Sequence, residues 1–290
     1  MSPIQVGISV VTTWTSTLEE DIENYSAAGA DGIGVWEYKL KGRSDKDFAA
    51  QVRDAGLRAA ICGPAVPSIL PDFFFTEPRD PRDRIAALSA AIERFAEFEP
   101  VAVLCVSGDP RALGQAEARK VVVAGMREVA RVAADHGIVL GLEPQRANQN
   151  PLVTSLPDAV ALVAEIGEAN VSVLADIYHF WDLPAMEQDL ASSANRLVGV
   201  QLSDYRDPTR GPIDRVLPGD GVIDTRAVFR ALDQAGYEGW YDIEVFSDNG
   251  LFGDAYPDSL WDEDPRDLAR RAVEQVRSIW DTRNAGPPSK

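Results

Sequence analysis

The chain repeats one pattern eight times: a short apolar run rich in β-branched residues, a polar loop, then an amphipathic segment with helical periodicity. The runs are VGISV from Val6, DGIGVWE from Asp31, LRAAICG from Leu57, VAVLCVSG from Val101, IVLGLEP from Ile138, VSVLAD from Val171, LVGVQLSD from Leu197 and WYDIEVF from Trp240. Helix starts are legible at Asp80-Pro81 and at Asp224, where a side-chain oxygen can accept orphan backbone N–H groups. Helix stops are legible at Gly29, Gly56, Gly137, Gly167 and Gly236, each placed where one segment ends and the next strand begins. Strands that alternate with helices and lack hairpin turns pair in parallel, and eight right-handed crossovers close most naturally into a single (β/α)8 TIM barrel. An open doubly wound sheet is the alternative.

A barrel of this kind takes about 250 residues. The 290 residues here, 45% hydrophobic, suffice for one. The barrel is expected over 1–283, and NAGPPSK over 284–290 reads as a disordered tail. Against 28 Lys and Arg stand 46 Asp and Glu, a formal charge of −18, which repels a phosphate backbone and argues against nucleic acid as a partner. The N-terminus lacks the charged start and apolar core of a secretory signal, and no run approaches the roughly 18 apolar residues of a membrane span. A cytoplasmic protein without a membrane partner is expected. Cys62 and Cys105 lie in apolar runs without CxxC spacing and read as packed, reduced thiols.

Four consecutive strands end in polar groups that the fold does not need: Glu143 on the fifth, Asp176 on the sixth, Gln201 on the seventh and Glu244 on the eighth. In a TIM barrel these ends converge on the active face. Three carboxylates brought together there repel one another unless a cation lies between them. Three carboxylate oxygens and one amide oxygen make a hard donor set suited to one divalent metal, Mn²⁺ or Mg²⁺. Asp242 shares the parity of Glu244 and is a candidate buried ion-pair partner.

Glu143 in GLEP, DIYH from Asp176 to His179, VQLSD from Val200, RVLPGDGVID from Arg215 and DIE ending at Glu244 together resemble the sugar phosphate isomerase/epimerase family, the xylose isomerase-like TIM barrels, over nearly the whole chain. The resemblance implies one metal held by Glu143, Asp176 and Glu244, with Co²⁺ and Zn²⁺ as alternatives to Mn²⁺ and Mg²⁺. It departs at Gln201, where the family usually has histidine, and an amide is the weaker ligand for late transition metals. It also implies that His179 faces the substrate, that Arg215 holds a substrate oxygen and that Glu37, at the end of GVWE, lies near the site. The other histidine, His136, reads as a helix C-terminal residue before a capping glycine. The three-zinc endonuclease IV relatives need a histidine cluster that two histidines cannot supply.

The chemistry implied by the resemblance is proton movement beside a carbonyl: a metal-dependent keto-sugar isomerase or epimerase working through an enediolate, with Glu143 and Glu244 as the proton-moving groups. A lyase acting on a keto-inositol or 3-oxo-glycoside, resembling inosose dehydratases or C-glycoside deglycosidases, is the alternative, and a metal-free sugar-binding or accessory barrel a third. Trp14, Tyr178, Phe180, Trp181, Phe252, Tyr256 and Trp261 supply rings that can stack on a sugar or polyol. Phe73, Phe74 and Phe75 are expected to face another copy in a homo-oligomer or a small second subunit.

Overall fold

The computed structural model describes residues 4–285. All eight sequence-predicted strands form. They are β1 (Gln5–Ser9), β2 (Gly32–Gly34), β3 (Arg58–Ala59 with Ile61–Cys62), β4 (Ala102–Val106), β5 (Leu140–Glu143), β6 (Val171–Asp176), β7 (Leu197–Leu202) and β8 (Trp240–Ile243). Each pairs in parallel with its neighbours, and β8 pairs with β1 from Gln5↔Trp240 to Ile8↔Ile243. The ring closes through the break in β3. Ala60 donates its N–H to Ile33 on one side (2.8 Å) and accepts from Ala102 on the other (3.3 Å). The open-sheet alternative is thereby excluded.

The alternating helices are α1 (Leu18–Ala27), α2 (Asp45–Asp54), α3 (Pro81–Phe95), α4 (Gln115–Asp135), α5 (Leu156–Ile166), α6 (Met186–Ser193), α7 (Thr225–Gln234) and α8 (Pro265–Asp281). Asp80 caps α3 by accepting from Arg82 N, and Asp224 caps α7 by accepting from Ala227 N. The five glycine stops all have left-handed backbone, with φ between 68° and 76°, which only a residue without Cβ adopts cheaply. His136 is the C-cap of α4, before Gly137. The tail expected over 284–290 lies, from residue 286 onward, outside the described residues.

Outward-facing strand residues pack on the helices. Tyr241 of β8, for example, meets Phe229 of α7 and Trp280 of α8 edge-on or tilted, at 5.0 and 6.0 Å between centroids. The inner face is narrow and mixes large with small. A Cβ on Gly199 would meet Ile61 Cδ1 at 2.9 Å, and one on Gly7 would meet Asp242 Oδ1 at 2.7 Å. Glycines therefore line the bore where Ile61, Leu174 and Asp242 fill it. Cys62 and Cys105 are buried and free, as expected. Among the described residues no helix is long and apolar enough to cross a membrane.

Candidate active site at the barrel mouth

β5 and β6 end in Glu143 and Asp176, β7 carries Gln201 one residue before its end, and Glu244 follows the last residue of β8. Glu143, Asp176, Gln201 and Glu244 are all 4% exposed or less. One cavity at this mouth is lined by Glu143, Glu244, His179 and Arg215, with Gln145 beside them. Neighbouring contacts tie the group together. Gln201 Nε2 donates to Glu244 Oε1 (2.8 Å), Ser9 Oγ donates to the same oxygen (3.4 Å), and Arg215 Nη1 donates to Asp176 Oδ2 (2.7 Å).

His179 lies closer to the acids than a residue facing only the substrate would need. Its Nε2 is 3.4 Å from Asp176 Oδ2 and 3.9 Å from Glu143 Oε1, and ligand atoms of Glu143, Asp176 and His179 all lie within 4.8 Å of one another. That trio can hold a metal ion. His179 Nδ1 accepts the backbone N–H of Arg146 (3.4 Å), which leaves the proton on Nε2, turned toward Asp176. In this tautomer the imidazole is a donor to the cluster, and ligation through Nε2 needs the other one.

Electrostatics separate these groups from ordinary strand-end acids. Burial, then repulsion from Asp176 and Glu244, holds the Glu143 carboxyl well above the usual carboxylate range. Burial first and Asp176 second push Glu244 up to about 8, although Arg215, Ser9 and Trp36 act against the rise. Burial pushes His179 down to about 3, so the ring is neutral. One guanidinium thus fails to compensate three converging carboxyls. Gln201 supplies a further sign: its Oε1 is buried without a hydrogen-bond partner, an acceptor left for something positive. An orphaned amide oxygen beside uncompensated carboxylates fits a hard divalent cation.

Arg215 belongs to a short antiparallel pair, Arg215–Val216 with Asp204–Tyr205. Its guanidinium lies 3.9 Å from the centroid of the Tyr178 ring and also donates to Ser203 Oγ (3.3 Å). Asp204, unremarked in the sequence, is what anchors the RVLPGDGVID loop. Its carboxylate accepts from Tyr205 N (2.8 Å), Gly219 N (2.9 Å) and Ile223 N (2.8 Å). Gln145 also escaped notice; it donates to Glu143 Oε2 (2.9 Å), and Asn150 Nδ2 donates to its Oε1 in turn.

Two expectations are corrected. Glu37 is not brought to the cavity: β2 ends at Gly34, the chain turns, and the Glu37 carboxylate pairs with Arg94 Nη1 (3.0 Å) and accepts from Ala65 N (2.9 Å). Asp242 has no ion-pair partner; it is fully buried, neither oxygen is bonded among the described residues, and burial followed by repulsion from Glu244 raises its carboxyl well above the ordinary range. Phe74 and Phe75 line the cavity together with Trp14 and Phe252. Tyr178, Phe180 and Trp261 are buried packing residues.

The family model for the xylose isomerase-like TIM barrel matches residues 22–279. The chain belongs to that family. Among curated relatives, the 3-dehydro-D-guloside 4-epimerase of Escherichia coli (strain K12) is 29% identical over 145 residues, 49% of this chain and 52% of that protein. The inosose dehydratase of Klebsiella pneumoniae (strain 342) is 27% identical over 164 residues, 50% of this chain and 54% of that protein. The chain thus spans about half the length of the curated relatives it matches. A crystal structure of the IolI protein with a bound zinc atom superposes with a TM-score of 0.79 at 19% identity, covering 98% of this chain and 100% of that one, a likeness of fold.

Proposed function

We propose that this xylose isomerase-like barrel is a divalent-metal-dependent keto-sugar epimerase or isomerase. The observation that carries the reading is the pair Glu143 and Glu244: two buried carboxyls lining one cavity from staves separated by β6 and β7. Proton transfer at carbon needs one group to take a proton and another to return one, and two carboxyls on one cavity supply both. The guloside epimerase and the inosose dehydratase that the chain resembles are both enzymes by name.

Glu143, Asp176, Gln201 and Glu244 would hold the metal, with His179 able to join them in its other tautomer. When bound, a divalent ion supplies Lewis-acid polarisation of a carbonyl and its neighbouring hydroxyl. The chain does the rest. One of Glu143 and Glu244 removes the proton beside the carbonyl, and the other returns a proton to the same carbon, which inverts it, or to the former carbonyl carbon while the hydroxyl proton passes to the former carbonyl oxygen, which shifts the carbonyl. Arg215, fixed by Asp176, and the Nε2–H of His179 donate toward the oxygen on which charge develops. Gln145 holds Glu143 in orientation.

A lyase on a keto-inositol or a 3-oxo-glycoside is the second reading, favoured by the inosose dehydratase match and by the amide at Gln201. The two readings share the first proton abstraction and differ in the fate of the enediolate. Incubation of the Mn²⁺-supplemented protein with a panel of keto-hexoses, keto-inositols and 3-oxo-glycosides in D₂O is expected to give deuterium at the carbon beside the carbonyl and a new epimer. Dehydrated product without an epimer would replace the first reading by the second, and no deuterium in any substrate would remove both. Glu244→Gln is expected to slow exchange by roughly 10²–10⁴-fold, and unchanged exchange would end its assignment as a proton-moving group.

A further inference from the structure

The cavity is divided by chemistry and depth. Its floor is polar and buried: Glu143, His179, Arg215 and Glu244 are each 5% exposed or less. Its rim is aromatic and half-exposed, with Phe74 at 36% and Phe252 at 45% beside Trp14 and Phe246. A free monosaccharide carries hydroxyls all round its ring, and every one placed against an apolar wall without a partner costs about 1–3 kcal/mol. The rim supplies little to meet them. Asp72, the polar residue on that wall, already accepts from Ser68 Oγ (2.8 Å), Phe74 N (2.8 Å) and Phe75 N (2.7 Å).

The rim is also built. Asp72 holds the backbone of Phe74 and Phe75, and Arg84, fully buried on α3, locks the same loop by donating to Ser68 O, Phe75 O and Pro78 O at 2.9–3.0 Å. Across the mouth, the fully buried Asp248 accepts from Phe252 N (3.0 Å), Gly250 N (3.0 Å) and Asp254 N (2.8 Å). Phe74 lies parallel to Phe246, 5° between planes at 6.4 Å, and Phe252 stands edge-on to Trp14 at 4.9 Å. Two buried carboxylates and a buried arginine are thus committed to holding apolar rings at a water-facing edge, above a catalytic floor. Exposed, pre-ordered apolar surface of that kind marks a binding site.

We propose that this rim is a subsite for a flat apolar substituent, so that the substrate is an aryl glycoside or similar apolar conjugate of the keto-sugar and not the free sugar. The inference rests on the reading of the floor as a keto-sugar site and names the part of the substrate that the floor does not touch. Phe74 and Phe252 are the specificity-determining residues.

The test is isothermal titration of the Mn²⁺-supplemented protein with a matched pair, methyl and phenyl 3-oxo-β-D-glucopyranoside. The phenyl compound is expected to bind at least tenfold more tightly, about 1.4 kcal/mol. In Phe74→Ala and in Phe252→Ala the ratio of the two Kd values is expected to fall below about threefold, while Phe74→Tyr, which keeps the ring, retains the preference. Equal Kd values in the wild type, failure of both compounds to bind, or a preference that survives both alanine variants would overturn the proposal. Deuterium exchange on the methyl and phenyl 3-oxo-glucosides themselves reads the floor separately. Exchange without phenyl preference sinks the subsite alone, and phenyl preference without exchange on either glucoside sinks the proton-transfer reading alone.

Discussion

Gln201 concentrates what is unusual about this site. An amide there gives Glu244 a hydrogen bond through Nε2 and leaves Oε1 buried and unbonded, so in the proposed site it would both support one ligand and be a candidate ligand itself. Gln201→Ala removes both and is expected to weaken Mn²⁺ binding by roughly 10- to 100-fold. Gln201→His restores a ligand but replaces oxygen by imidazole nitrogen, and is expected to shift preference from Mn²⁺ toward Co²⁺ and Zn²⁺. Calorimetric titration with each metal checks both; a Mn²⁺ affinity unchanged in Gln201→Ala would remove Gln201 from the metal site. At this scale the sequence was informative where a side chain's position follows from strand parity. Glu143 and Asp176 meet beside His179, and Gln201 meets Glu244, because each of these four stands at or next to a strand end. Glu37 does not, because β2 stops at Gly34 and the chain bends into a 3-10 turn that sends the carboxylate to Arg94. Gln145 was illegible because its contact with Glu143 depends on how the segment after β5 folds back.

The elements between strand and helix decide where the mobile-looking sequence becomes rigid. Helix limits were legible, since a cap or a left-handed glycine acts within a few residues. The loops were not, because their order comes from single buried groups that act at a distance: Arg84 on α3 for the loop after β3, Asp204 for the loop that carries Arg215. Asp204→Ala would leave the N–H of the buried Ile223 without its acceptor, while that of the exposed Gly219 turns to water. A cost of about 1–3 kcal/mol is expected, read as a lowered denaturation midpoint. Because Arg215 reaches Asp176 from the neighbouring strand, the same change is expected to lower kcat by at least tenfold with a smaller change in KM. Asp204→Asn, which keeps one acceptor oxygen, should recover part of both. An alanine variant with wild-type kcat would show that Arg215 is held in place by Asp176 and Tyr178 alone.

For the molecule as a whole, the barrel brings together more buried acid than it neutralises, and that has a measurable signature in the metal-free state. Closure was legible from the eightfold repeat; the depth of the acids was not, because whether Asp242 meets a cation or only glycines depends on the staves beside it, which carry Gly7 and Gly34. Folded, Glu244 keeps its proton up to about 8, whereas an ordinary glutamate loses it near 4.5. Between those values the folded chain binds more protons than the unfolded one, so this contribution is full below about 4.5 and is lost as pH rises toward 8. Glu143 and Asp242, raised for the same reason, act with the same sign. His179 acts oppositely: pushed down from 6.5 to about 3, it contributes stability that is present above 6.5 and lost as pH falls toward 3. The slopes oppose between about 4.5 and 6.5, and above 6.5 the acids act without that opposition. Chelator-treated protein is therefore expected to melt at progressively lower temperature from about pH 6.5 to 8.5. Saturating Mn²⁺ is expected to abolish or reverse the trend, since a bound cation favours the ionised carboxylates. Thermal melts over that range with and without Mn²⁺ check the prediction. Superimposable profiles would mean that no ion shares the space between Glu143, Asp176 and Glu244, and the proton-transfer scheme would lose the charge that makes it feasible.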